Sequence, residues 1–228
     1  MKTISMSAVW LRLRRCAADM LANCSGIAAT EFAVIVPIML AMFFGTVEFS
    51  SGVAVDRKVT IIARTLSDLT SQSPPPTAQS PSAPVYDSDL QNIFTASISI
   101  LKPYSSTPAN ATISEIYVDS TGVAKVQWSK SATIAANATQ ATLTMSTRNP
   151  GDVIVVPAQL SVMKTYLILS EVTYLYTPTI GYVMGKTGVN LSDVAYTRPR
   201  QVVCVVYATP NPSLPHPDPV TGQPCPTS

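Results

Sequence analysis

The chain has 228 residues, only 12% of them charged, with a net charge of +2 and a mean hydropathy of +0.26. That length suits one anchor and one modest folded domain, and the apolar excess calls for a membrane segment or a strand-rich core. A net charge this small, with no Lys/Arg stripe interleaved with aromatics, excludes nucleic acid as a partner. The four cysteines stand in no Cys-x-x-Cys or histidine-containing pattern, which argues against a metal site.

The first 26 residues form a basic leader. Lys2, Arg12, Arg14 and Arg15 stand against Asp19 alone, and Cys16 and Cys24 also fall here. Next comes the strongest signal in the chain, an apolar stretch from Ile27 to Val55 whose middle, Phe32 to Val47, carries no charge. As a helix those 16 central residues rise about 24 Å, and the flanking residues complete a span of roughly 30 Å. Glu31 and Glu48 are the only charges near its ends. Basic residues before the span predict a cytoplasmic N-terminus and an extracytoplasmic C-terminus. The rival is a cleaved export signal, for which Gly52-Val53-Ala54 offers a small-x-Ala site.

The helix is expected to continue past the membrane. Val55, Val59, Ile62, Leu66 and Leu69 recur at spacings of four, three, four and three, while Asp56, Arg57, Lys58, Arg64 and Asp68 fill the wet face. This stripe packs either on the protein's own sheet or on a partner helix. Proline lacks the amide donor, so Pro74-Pro75-Pro76 sets the end of the helix near residue 72. Residues 73–89 read as a Pro/Ser-rich linker.

From Leu90 the pattern becomes one of strands, beginning with the alternation Ile98-Ser-Ile100. Ile113 to Val118, a turn at Asp119-Ser-Thr-Gly122, and Val123 to Trp128 form a hairpin signature. Residues 129–148 are ambiguous. Val153 to Val156, Thr165 to Thr177, Asp193 to Thr197 and Gln201 to Ala208 are the further strand candidates, the second being the longest. The expected fold is therefore α+β: a long N-terminal transmembrane helix (27–72) followed by a small, mostly antiparallel β-rich domain (90–208) and a Pro-rich tail (209–228). Cys204 and Cys225, 21 positions apart and on the extracytoplasmic side, are candidates for a disulfide tying the tail to the sheet; the alternative is two free or intermolecular thiols.

The constellation most suggestive of function is Gly26-Ile27-Ala28-Ala29-Thr30-Glu31-Phe32-Ala33. A glutamate at the edge of a bilayer is costly and calls for a partner or a role. If the chain is cut after Gly26, the new amine of Ile27 lies one helical turn from Glu31, where ammonium and carboxylate can meet within one subunit or between two. This arrangement resembles the processing site of type IV prepilins. The fuller resemblance is to the TadE-like proteins of tight-adherence pilus systems, carried by Gly26, Ala28, Glu31, Phe32, Ala33 and Pro37. Val59 to Arg64, Tyr174-x-Tyr176-x-Pro178 and Ala195 to Arg200 are looser likenesses to the same family.

That resemblance implies a minor pilin or pseudopilin in the inner membrane, working in pilus assembly. Gly26, Ile27, Glu31 and Phe32 would then be its processing site, and its partners would be lipid, other pilin-like subunits, the assembly machinery and a prepilin peptidase. No cofactor and no small-molecule substrate are expected. Catalysis finds little footing, since the only histidine, His216, lies between prolines in the tail and no nucleophile elbow or phosphate loop occurs. The alternative is a membrane-tethered binding or adhesion module with an uncleaved anchor.

Overall fold

The computed structural model describes residues 10, 14–16, 18–19, 26–73, 85–107, 109–135, 138–178 and 188–207. The chain divides into two units, Met1–Phe49 and Ser50–Ser228. Helix α1, Gly26–Ser71, is continuous across that boundary.

In the first unit α1 is apolar on every side, and its side chains stand open. Phe32, Val34, Ile35, Ile38, Met39, Met42 and Phe43 are all more than half exposed. Pro37 lies inside this stretch. The hydroxyls of Thr30 and Thr46 are turned back onto the helix, donating to Ile27 O at 2.8 Å and Met42 O at 2.9 Å. Such back-bonding lets a hydroxyl sit in apolar surroundings without an orphan donor.

In the second unit the same helix becomes one-sided. Val55, Val59, Ile62, Ala63 and Leu66 are fully buried, whereas Ile61 and Arg64 are exposed. Helix α2, Asp87–Ile98, adds Leu90, Phe94 and Ile98 to the same core, and a 3-10 turn, Ser99–Leu101, adds Leu101. Asp87 and Asp89 occupy the first turn of α2, and the Asp89 carboxylate accepts from Tyr86 N at 3.1 Å, which suits the positive end of the helix dipole. Lys58 of α1 closes the far end, donating to Ile100 O at 2.8 Å and Lys102 O at 2.7 Å.

These helices cover one face of an antiparallel sheet of six strands: β1 (Ala109–Val118), β2 (Ala124–Thr133), β3 (Thr142–Met145), β4 (Val153–Ile154), β5 (Thr165–Tyr176) and β6 (Val189–Thr197). The order is β3-β2-β1-β5-β6, with β4 also on β2. The expected hairpin is β1–β2, and its turn is held by the Asp119 carboxylate, which accepts from the Thr121 hydroxyl and from the amides of Thr121 and Val123. The pairing slips by one residue opposite Glu115/Ile116, leaving Gln127 as the extra residue of a β-bulge. Toward the helices the sheet offers Ile113, Trp128, Ile168 and Val172, and Ser170 donates to Ala63 O at 2.5 Å. On the opposite face a smaller cluster of Ile116, Val118, Leu167 and Leu169 lies beneath Ile154, Val156 and Leu160. Beside it runs a hydroxyl ladder, with Thr112–Ser131, Ser114–Ser129 and Ser129–Ser146 each at 2.7 Å.

The long helix followed by an antiparallel β domain confirms the α+β class read from the sequence. Four local expectations need correction. Ile98-Ser-Ile100 is not a strand start but the end of α2 and its 3-10 turn; Leu90, Phe94, Ile98 and Leu101 fall at helical spacings and are all buried. Val85 and Asp87, expected in the linker, belong to the domain: Val85 is buried and Asp87 opens α2. Gln201–Tyr207 is an irregular strap rather than a strand, with one bridge from Val85 to Tyr207. β4 is also shorter than the run Val153–Val156.

Candidate processing site and anchor

Gly26 is the first residue of α1, and a side chain there would meet nothing within 4 Å. Ile27, Glu31 and Phe32 follow on the first turns, all exposed, with Phe32 68% accessible. Because the helix already includes Ile27, that residue and Glu31 are neighbours on one face, one turn apart. The small side chains of Ala28 and Ala29 leave that turn uncrowded.

The stripe predicted as a packing surface is occupied from within the chain. Val55, Val59, Ile62 and Leu66 are fully buried in the core that also holds Ile113, Phe94 and Ile168, while Leu69 is partly exposed. The helical spacing therefore serves self-packing on the protein's own sheet. Ser67 and Thr70 extend the contact beyond the apolar residues, with the Thr197 hydroxyl donating to Ser67 Oγ at 2.9 Å.

Sequence reasoning missed how the segment after β6 is fastened. Glu115 is a buried carboxylate that accepts from Trp128 Nε1 at 3.0 Å and from Val205 N at 2.6 Å. Trp128 Nε1 also donates to Val205 O at 2.7 Å. Tyr207 stacks on Trp128 with ring centroids 5.8 Å apart and donates to Asp87 Oδ1 at 2.7 Å, and Val85 N donates to Val206 O at 2.8 Å. Lys130 lies over the Tyr207 ring at 4.7 Å and pairs with Asp87 at 3.7 Å. Burial raises the Tyr207 phenol above its ordinary value, so it stays a donor. Upstream, Arg200 N donates to Ser71 O at 3.0 Å and its guanidinium pairs with Asp68 at 2.5 Å. The Arg-Pro-Arg element thus ties the strap to the end of α1. An isolated glutamate in a strand otherwise facing the core was the one sequence signal for this network.

Cys204 is buried and disulfide-bonded. Cys225, like Cys24, His216 and the rest of the tail, lies outside the described residues. Cys16 is free and exposed. Among the described residues no group of His, Cys, Asp and Glu is placed to hold a metal ion. On the outer face Arg148 and Glu171 form a bidentate pair, Arg148 Nη2 to Glu171 Oε1 being 2.8 Å, and Glu171 holds the guanidinium pKa up. This is a structural clamp from the segment after β3 onto β5.

Together these features define a protein that has, among the described residues, one apolar helix long enough to cross a membrane by length and composition, followed by an α+β domain that uses the helix's second half as core. Residues 26–65 match the family model described as TadE-like protein, so the resemblance carried by Gly26, Glu31, Phe32 and Pro37 is established over that stretch. No curated protein and no solved structure matches the chain.

Proposed function

We propose that this chain is a membrane-anchored minor pilin or pseudopilin that takes part in assembling tight-adherence pili. In this reading residues 1–26 are a cytoplasmic leader, α1 crosses the inner membrane, and the domain from Val85 to Tyr207 stands on the extracytoplasmic side. A prepilin peptidase cuts after Gly26, and the amine of Ile27 then pairs with Glu31. Cys204 bonds to Cys225 and holds the tail. The work is structural, not enzymatic, and its partners are lipid and other pilin-like subunits.

The observation that carries the proposal is the placement of Gly26-x-x-x-x-Glu31-Phe32 at the first turns of an open apolar helix, inside the stretch that matches the family model. The basic residues before the span, Lys2, Arg12, Arg14 and Arg15 against Asp19 alone, support the orientation. The test is the N-terminal residue and intact mass of the protein from membranes with and without the peptidase. A chain beginning at Ile27 only when the peptidase is present is the expected result. A chain that keeps Met1 in both backgrounds sinks processing, and one beginning near Val55 sinks the anchor as well.

A further inference from the structure

The two edges of the sheet are built differently. Beyond β2 lie two short strands, β3 of four residues and β4 of two, separated by the bulge at Gln127. Short, broken edges of this kind discourage pairing with other chains. The other edge is β6, nine residues in unbroken register with β5 from Val189 to Thr197. Its sequence, Val-Asn-Leu-Ser-Asp-Val-Ala-Tyr-Thr, contains no proline and no lysine, and its single charge is Asp193. Among the described residues nothing pairs with its outer side. Val194, in the middle of the strand, is 47% exposed. Asp193 apart, none of the usual devices that blunt an edge strand is present among the described residues.

Beside this edge lies an open cleft of about 580 Å³ between α1 and β6, lined among others by Arg64, Thr65, Asp68, Tyr196, Thr197 and Arg200. Its charge is cationic on balance. Arg200 is paired with Asp68, whereas Arg64 is exposed and has no ion-pair partner among the described residues. Arg198, just beyond the strand, is exposed too. A second copy of this chain is a poor occupant. Antiparallel self-pairing about the middle of β6 would set Asp193 directly against its own counterpart, and like charges directly opposite are destabilising.

We propose that β6 is a docking strand that accepts an extended, acidic segment of a different protein. The segment adds to the sheet through main-chain hydrogen bonds and sets a carboxylate against Arg64, the mode in which backbone pairing supplies affinity and side-chain contacts supply selectivity. The inference holds whether or not Gly26 is a cleavage site.

The test uses the full chain in detergent micelles and three nine-residue probes. One alternates threonine and valine and carries two glutamates, the second has lysines in place of the glutamates, and the third is the glutamate peptide N-methylated at alternate positions. The glutamate peptide is expected to bind and to slow hydrogen exchange at the amides of β6. The lysine peptide should bind on the order of tenfold or more weakly, the N-methylated peptide not at all, and Arg64→Glu should reverse the preference. Binding that ignores Arg64→Glu, or leaves β6 exchange unchanged, overturns the proposal. So does concentration-dependent protection of β6 without peptide, accompanied by a dimer mass, which would make a second copy the occupant.

Discussion

Ile61 and Ile62 are adjacent on α1 and chemically identical, yet Ile62 is fully buried and Ile61 is 48% exposed. Replacing each by alanine changes helix propensity equally, so the difference between the two variants isolates burial. Ile62 lies in the core with Ile113, Phe94 and Ile168, where truncation loses the transferred carbons and leaves a cavity. Ile62→Ala is therefore expected to cost about 2–5 kcal/mol. For a unit of this size a loss of 1 kcal/mol lowers Tm by roughly 2–4 °C, so the expected drop is about 4–20 °C. Ile61→Ala should stay within about 0.5 kcal/mol. Thermal unfolding of the full chain in detergent, followed by near-ultraviolet circular dichroism, reads both. Equal shifts for the two variants, or no shift for Ile62→Ala, would refute the argument and mean that the stripe meets a partner rather than the sheet.

Gly188 sits at φ +75°, and an added Cβ would lie 2.7 Å from Tyr176 O, so Gly188→Ala should cost at least about 1–2 kcal/mol, measured by the same unfolding assay. Asp119 has its pKa lowered from 3.8 to about 2, chiefly by the Thr121 hydroxyl and with help from the amides of Val123 and Thr121. Because the folded value is the lower one, the contribution is complete above pH 3.8 and is lost as pH falls through about 2. The denaturant midpoint of Asp119→Asn should accordingly show a flatter acid limb than wild type between those values. A limb of unchanged slope counts against the turn contacts. Trp128→Phe removes the indole N–H that bonds Glu115 and Val205 O, and should cost about 1–3 kcal/mol with faster hydrogen exchange at Val205 than at Ile168.

Patterns that extend over many residues were legible in the sequence. The span, the Val55–Leu66 stripe, the β1–β2 hairpin and β5 each repeat one period long enough to name the element. Where the sequence misled, the run was short. Ile98-Ser-Ile100 alternates over three residues, too few to distinguish a strand from the last turn of a helix whose buried set begins at Leu90. Val202-Val203-Cys204-Val205-Val206 looks like a strand by composition, but its backbone is spoken for by Glu115 and Val85, partners distant in sequence. No local period encodes such contacts. The residues proposed as a processing site stood out in the sequence for a different reason: the proposal rests on their order and spacing, and the fold adds only that they open the helix.

One helix carries two apolar patterns, and the difference between them limits what the helix can do. From Val55 to Leu66 a single stripe is apolar, and the chain's own sheet already covers it. These residues are committed to folding and are not available to another subunit. From Phe32 to Val47 every side is apolar, and no part of that window is buried within the protein. An apolar surface of this extent is not stable in water, so lipid or other helices must cover it. Lateral packing through α1 therefore cannot use the Val55–Leu66 stripe, and the continuous open apolar surface of the helix lies before Ser50. Substitutions in the two halves should separate accordingly: those between Val55 and Leu66 lower the stability of the domain, and those between Phe32 and Val47 alter membrane insertion or assembly while the domain's Tm holds.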